Sequence, residues 1–124
     1  MKFSEYIPNA LKTMSNGDEI KNRIIPRAAT IHAAMGLSTE ANEILDAVKK
    51  HVFYGKELSR KNLIEEIGDL MWYLAVLIHF EGLTDLELIL DANIEKLKKR
   101  YGEKFDSEKA INRDVEKELE HIKE

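Results

Sequence analysis

The sequence predicts an all-α fold, a bundle of four to five helices whose core is completed by oligomerisation. Three observations lead there. Apolar residues recur at the three- and four-residue spacing of helices over most of the chain. Alternating, strand-like patterns are absent. Both prolines, Pro8 and Pro26, lie near the start, so nothing beyond Pro26 forbids long helices. A chain of 124 residues holds one modest core and gains much from burying surface against another copy.

The first helix is expected to start near Ser4 as N-cap, with Pro8 near its first turn and an apolar stripe of Ile7, Leu11 and Met14. Ser15-Asn16-Gly17-Asp18 has turn chemistry, and the stretch from there to Arg27 fits no element clearly. A second helix spans about Arg27 to Phe53, with a break allowed near Gly36. Ile44, Leu45 and Val48 mark its apolar face, and Gly55 is placed to cap its end. A third runs from about Arg60 to Phe80. Ile64, Ile67, Leu70, Met71, Leu74, Leu77 and Ile78 give it a wide apolar face, and its second half is apolar nearly all round. That pattern predicts the central, most buried helix. A fourth begins at a capping box of Thr84 and Glu87, with Leu83 and Leu88 spaced as a hydrophobic staple, and stops at Gly102. A last helix, Glu108 to Ile122, carries only the narrow stripe Ile111, Val115, Leu119 and Ile122. It must dock on the body or on a second subunit.

Composition narrows the function. At 44% hydrophobic and 34% charged, the chain reads as one folded domain over residues 1–124, with a motif-bearing core at about 28–105 and a charged helical tail at 106–124. The formal charge of −4 disfavours nucleic-acid binding driven by phosphate neutralisation. The absence of cysteine excludes disulfides and thiolate metal sites. Met1 to Ala10 lacks the pattern of a signal peptide, and the apolar run around Leu70 to Phe80 is shorter than the roughly 20 residues a bilayer needs. A cytoplasmic protein without membrane contact is expected.

The chemistry lies in two pairs of acids. Glu40 and Glu43 are three apart, as are Glu66 and Asp69. Residues at i and i+3 share a helix face, about 5–6 Å apart. Two such helices packed together would gather four carboxylates, the oxygen donors that a hard divalent cation such as Mg²⁺ requires. With 23 acidic residues in the chain, either pair alone reads as a solvated helix face. Two pairs on neighbouring helices weigh against that. Gly68 adds weight, because a mid-helix glycine costs roughly 0.5–1 kcal/mol relative to alanine and a close backbone approach would explain it.

Three segments, Gly36 to Ile44, Glu65 to Leu74 and Asn93 to Tyr101, resemble the motifs of MazG-like nucleoside triphosphate pyrophosphohydrolases. Glu-Ile-Gly-Asp-Leu at 66–70 is the most specific stretch, and the likeness covers about Ala28 to Phe105. Thr39 stands where the fuller pattern has a further Glu, and Asn42 where it has Gly. The resemblance implies Mg²⁺-dependent hydrolysis of nucleoside or deoxynucleoside triphosphates to monophosphate and pyrophosphate, with Mn²⁺ as a substitute. It also implies a dimer or tetramer and a role in nucleotide-pool cleansing or control. Glu40, Glu43, Glu66 and Asp69 would be the metal and catalytic residues, with either Glu40 or Glu43 deprotonating the attacking water.

Phosphate also needs cations. Asn93, Lys96 and Arg100 share one face of the fourth helix and could hold phosphate or sugar oxygens, unless the two cations only complement the helix C-terminus. Lys50, two turns beyond the first acid pair, is a further candidate. Phe53, Trp72 and Tyr73 could stack on a base, although aromatics at helical spacing more often belong to a core. His32 reads as structural. Two other classes compete. A ferritin-like di-iron protein needs two Glu-x-x-His motifs, and only Glu118 to His121 matches. A noncatalytic helical oligomerisation module would use the same amphipathic stripes without the acids.

Overall fold

The two longest helices form where the chain is free of proline. The computed structural model describes residues 1–83 and 85–122. The elements are α1 (Phe3–Leu11), α2 (Gly17–Ile24), a 3₁₀ turn (Ile25–Arg27), α3 (Ala28–Tyr54), α4 (Arg60–Phe80), α5 (Leu86–Tyr101), α6 (Ser107–Ile111) and α7 (Val115–Leu119). No strand occurs among the described residues, so the all-α class is correct. The chain divides into two units, Met1–Gly82 and Leu83–Glu124. None of the described helices is long and apolar enough to cross a membrane.

In the first unit, α1 starts earlier than Ser4. Lys2 occupies the N-cap, and the Glu5 carboxylate accepts from its backbone N–H at 3.0 Å. Pro8 therefore falls inside the helix rather than in its first turn. The expected turn at Asn16 is the entry to α2, because the Asn16 side chain caps the Asp18 N–H. α3 runs unbroken through Gly36. It ends at Gly55, whose φ of 68° is the left-handed conformation that glycine adopts without steric cost. Four residues later Ser59 caps α4 by accepting from the Asn62 N–H.

α3 and α4 form an antiparallel hairpin. Gly36 meets Tyr73, Glu40 meets Glu66 and Asp69, and Arg27 at the start of α3 pairs with Glu81 at the end of α4. The Thr30 hydroxyl also donates to Glu81. These two donors, Arg27 first, hold the Glu81 carboxyl below its ordinary range. At the closest approach a Cβ on Gly36 would lie 2.2 Å from the Tyr73 ring. That ring cannot easily retreat, since His32 and Trp72 flank it with centroids 5.6 Å and 4.9 Å away. The close backbone approach expected at Gly68 thus occurs at Gly36 instead, and among the described residues nothing across from Gly68 lies within 4 Å of a Cβ added there.

The expectation that α4 is the most buried helix is also corrected. No residue of α4 is buried, and Trp72 and Ile67 are 57% and 53% exposed. The reason is geometric: α3 is the one long helix that packs on it within its unit. Two crossing helices shield only the small residues at their contact, here Ala33 and Gly36.

In the second unit the α5 cap is Asp85, whose carboxylate accepts from the Leu88 N–H at 3.2 Å. Thr84 of the expected capping box lies outside the described residues, and Leu83 and Leu88 of the expected staple are both exposed. The expected last helix is two short ones. Asp106 and Asp114 each cap a new start, and the chain breaks between them at Asn112 and Arg113. Aspartate and asparagine offer the backbone side-chain partners that compete with helix continuation. Glu118 is buried and anchors this segment. Arg100 grips it with two hydrogen bonds, 2.9 and 2.7 Å, and Arg113 adds a third at 3.0 Å. His121 Nε2 bonds the Ala92 carbonyl at 2.9 Å. The Glu118 and His121 side chains are thus tied to protein groups rather than set as a metal pair.

Two outcomes follow from this packing. Gly36→Ala should destabilise the protein by about 1–3 kcal/mol in chemical denaturation, since the added methyl must displace Tyr73. An unchanged midpoint would contradict the contact. Arg100 and Arg113 hold Glu118 down to about 2 from its ordinary 4.5. A depressed acid stabilises above its unfolded pKa, so this contribution should be complete above pH 4.5 and disappear as pH falls towards 2. NMR signals of Tyr101 and His121 should report that loss. Glu118→Gln should flatten the pH dependence and weaken the unit at neutral pH. An unchanged pH dependence would contradict the role of Glu118.

Candidate metal centre

Because α3 and α4 run antiparallel, the face of α3 one turn beyond Gly36 meets the face of α4 one turn before Tyr73. Those positions are Glu40 and Asp69. Glu66 lies a turn earlier on α4 and completes the group. Among the described residues, Glu40, Glu66 and Asp69 each present a carboxylate oxygen, and the three oxygens lie within 4.8 Å of one another. Glu40 and Glu66 are half-buried and Asp69 is exposed.

Like charges this close raise each other's cost of ionisation. Burial, then the charges of Asp69 and Glu66, push the Glu40 carboxyl above its ordinary value. The donor set fits a hard divalent cation. It is all oxygen, it is anionic, and its spread is close to the ~4.2 Å that spans a Mg²⁺ ion with bonds of about 2.1 Å. Small side-chain adjustments would close the difference.

Glu43, the fourth expected ligand, lies outside this group. It is exposed and lines an adjacent cleft of about 350 Å³ together with Asp46, Lys50, Lys56, Ser59 and Asn62. Lys50, the expected phosphate contact, is in this cleft and ion-paired with Asp46. Asp46 accordingly sits below its ordinary range and Lys50 above its own.

Three expected substrate contacts lie on α5. Asn93 is exposed and Lys96 half-buried. Arg100 is committed to Glu118, with its side chain only 13% exposed. The aromatic candidates differ. Tyr73 packs on Gly36, with His32 and Trp72 at its edges, whereas Phe53 is 76% exposed.

Sequence reasoning missed Asn62 and Asp46. The Asn62 amide donates to Glu66 Oε1 at 2.8 Å, and Asp46 occupies Lys50. Both pairs are four residues apart, the spacing at which helix side chains meet, so the signal was present.

A family model, described as the MazG nucleotide pyrophosphohydrolase domain, matches residues 30–105. The match covers more than half of the chain. The chain belongs to the MazG nucleotide pyrophosphohydrolase family. Neither the curated proteins nor the solved structures yielded a match. The MazG match takes in both acid pairs and the residues of the cleft, beginning at the third residue of α3 and ending before α6 and α7.

The clustering makes a direct prediction. Glu40→Gln removes one of three converging charges, so the cation-free variant should melt higher than the native protein. Mg²⁺ at about 100 times its Kd should stabilise the native protein by ~2.7 kcal/mol and the variant far less. Equal Mg²⁺-induced shifts in differential scanning fluorimetry would refute a cation site at Glu40.

Proposed function

We propose that this MazG-family chain hydrolyses nucleoside or deoxynucleoside triphosphates between the α and β phosphates, with Mg²⁺ or Mn²⁺ at Glu40, Glu66 and Asp69. The observation that carries the proposal is the convergence of those three carboxylates beside an open polar cleft. Bound Mg²⁺ supplies neutralisation of triphosphate charge and lowers the energy of the charge that develops on the bridging oxygen.

The chain's own residues divide the remaining work. Glu40, Glu66 and Asp69 would hold that cation. Glu43 faces the cleft outside the three-acid group, which suits it to take a proton from water, with Glu40 as the alternative base. The water oxygen bonds to one phosphorus of the α–β bridge. The bridging oxygen leaves with the other phosphorus, and the carboxylate receives the proton. Lys50 and Lys56 place positive charge on the cleft wall where phosphate oxygens would lie. Asn93 and Lys96 are proposed as further contacts to phosphate or sugar oxygens on the pattern of their segment. Arg100 could join them only by releasing Glu118. The role in nucleotide-pool cleansing or control belongs to the same proposal.

We also propose that the chain works as a homo-oligomer. Supporting this, Leu45, Val52 and Phe53 on α3 and Ile64, Ile67, Met71 and Trp72 on α4 all stay exposed on one chain. Apolar surface of that extent on two long helices gains free energy when a second copy covers it.

Glu66→Gln and Asp69→Asn should each lower turnover by more than about 100-fold while the helical circular-dichroism spectrum persists. The assay is pyrophosphate release from each common NTP and dNTP with Mg²⁺. Full activity in either variant would refute the assignment. A native protein that binds divalent ions yet releases no pyrophosphate from any of them would favour a noncatalytic module.

A further inference from the structure

The third residue of α4 is not used as a helix start normally uses it. After a serine cap, the third helical position commonly holds Glu or Gln, whose side chain turns back to the cap's backbone N–H. Here Ser59 caps and position three is Asn62. Its backbone N–H is taken by Ser59 Oγ at 3.3 Å, but its side chain turns forward. The Nδ2 group donates to Glu66 Oε1 at 2.8 Å, one turn along. Asn62 is half-buried and lines the same cleft as Glu43 and Lys50.

We propose that Asn62 is a positioning residue, which holds the Glu66 carboxylate in the orientation the cation requires. The inference rests on the cation site proposed above. An amide suits the task for three reasons. It donates, so it engages an ionised carboxylate as an acceptor. It is neutral, so it adds no charge to a group where three acids already crowd. It sits on the same helix four residues before Glu66, so the bond survives any shift of α3 relative to α4. One occupied oxygen fixes the carboxylate and leaves its remaining lone pairs for the metal. Lys in this place would compete with the cation for Glu66, and Glu would add a fourth repelling charge. Nothing in the bond requires substrate, so its effect belongs to cation binding.

The test is a double-mutant cycle read by Mn²⁺ binding, with calorimetry or the electron paramagnetic resonance signal of free Mn²⁺. Asn62→Ala should weaken Mn²⁺ binding by about 10- to 100-fold, the range for removing a group that orients a metal ligand. Asn62→Gln keeps a donor within reach of Glu66 and should recover most of that loss. In a Glu66→Gln background, Asn62→Ala should add little. A merely structural role at the helix start predicts the same loss with and without the Glu66 carboxylate, and no rescue by Gln. Either result would overturn the proposal, as would unchanged binding in Asn62→Ala. Native protein that binds no Mn²⁺ would instead overturn the cation site, and this role with it.

Discussion

Three negative charges are held together by the packing of two helices, and the rest of the structure depends on how that is tolerated. The approach of α3 to α4 is set at Gly36, where the absence of a side chain admits the Tyr73 ring. One turn away on each helix the same approach brings Glu40 and Asp69 face to face, with Glu66 beside them. Packing thereby enforces a repulsion that isolated helices would relieve by rotating apart. Burial first, and then the charges of Asp69 and Glu66, raise the Glu40 carboxyl above its ordinary value. A bound divalent cation would convert the repulsion into attraction, which links the stability of the hairpin to its chemistry.

Much of this was legible in the sequence. The helix at Arg60 to Phe80 was legible from its apolar spacing, and its bounds match the expected ones. The i, i+3 acids were legible for the same reason, since helix geometry alone puts them on one face. Contacts between elements were less legible. Gly68 carried the same local signal as Gly36, but only the position of Tyr73 decides which glycine is crowded. Glu43 matches Glu40 in spacing but differs in what α4 places opposite it. The charged tail hid its own anchor: Glu118 stood out only as half of a Glu-x-x-His match, and its burial depends on Arg100, eighteen residues earlier.

The two units solve the problem of buried charge differently. In the second, Glu118 is satisfied internally by two guanidinium groups, so no ligand is needed to settle it. In the first, the acids have one neutral donor, Asn62, and among the described residues no ion pair to a cationic side chain. Lys50, close by in the adjoining cleft, is occupied by Asp46 instead. A protein that needed these acids only for solubility would gain nothing by crowding them. The family match over residues 30–105 takes in that arrangement. The core of the hairpin is thin, with apolar residues exposed on α3 and α4, and the proposed second copy would cover them.

The most direct measurement is an anomalous-difference map from crystals of the protein grown or soaked with Mn²⁺. A peak within bonding distance of carboxylate oxygens from Glu40, Glu66 and Asp69 is the predicted result. Well-ordered density for all three side chains with no peak between them, at Mn²⁺ concentrations that saturate binding in solution, would contradict the account.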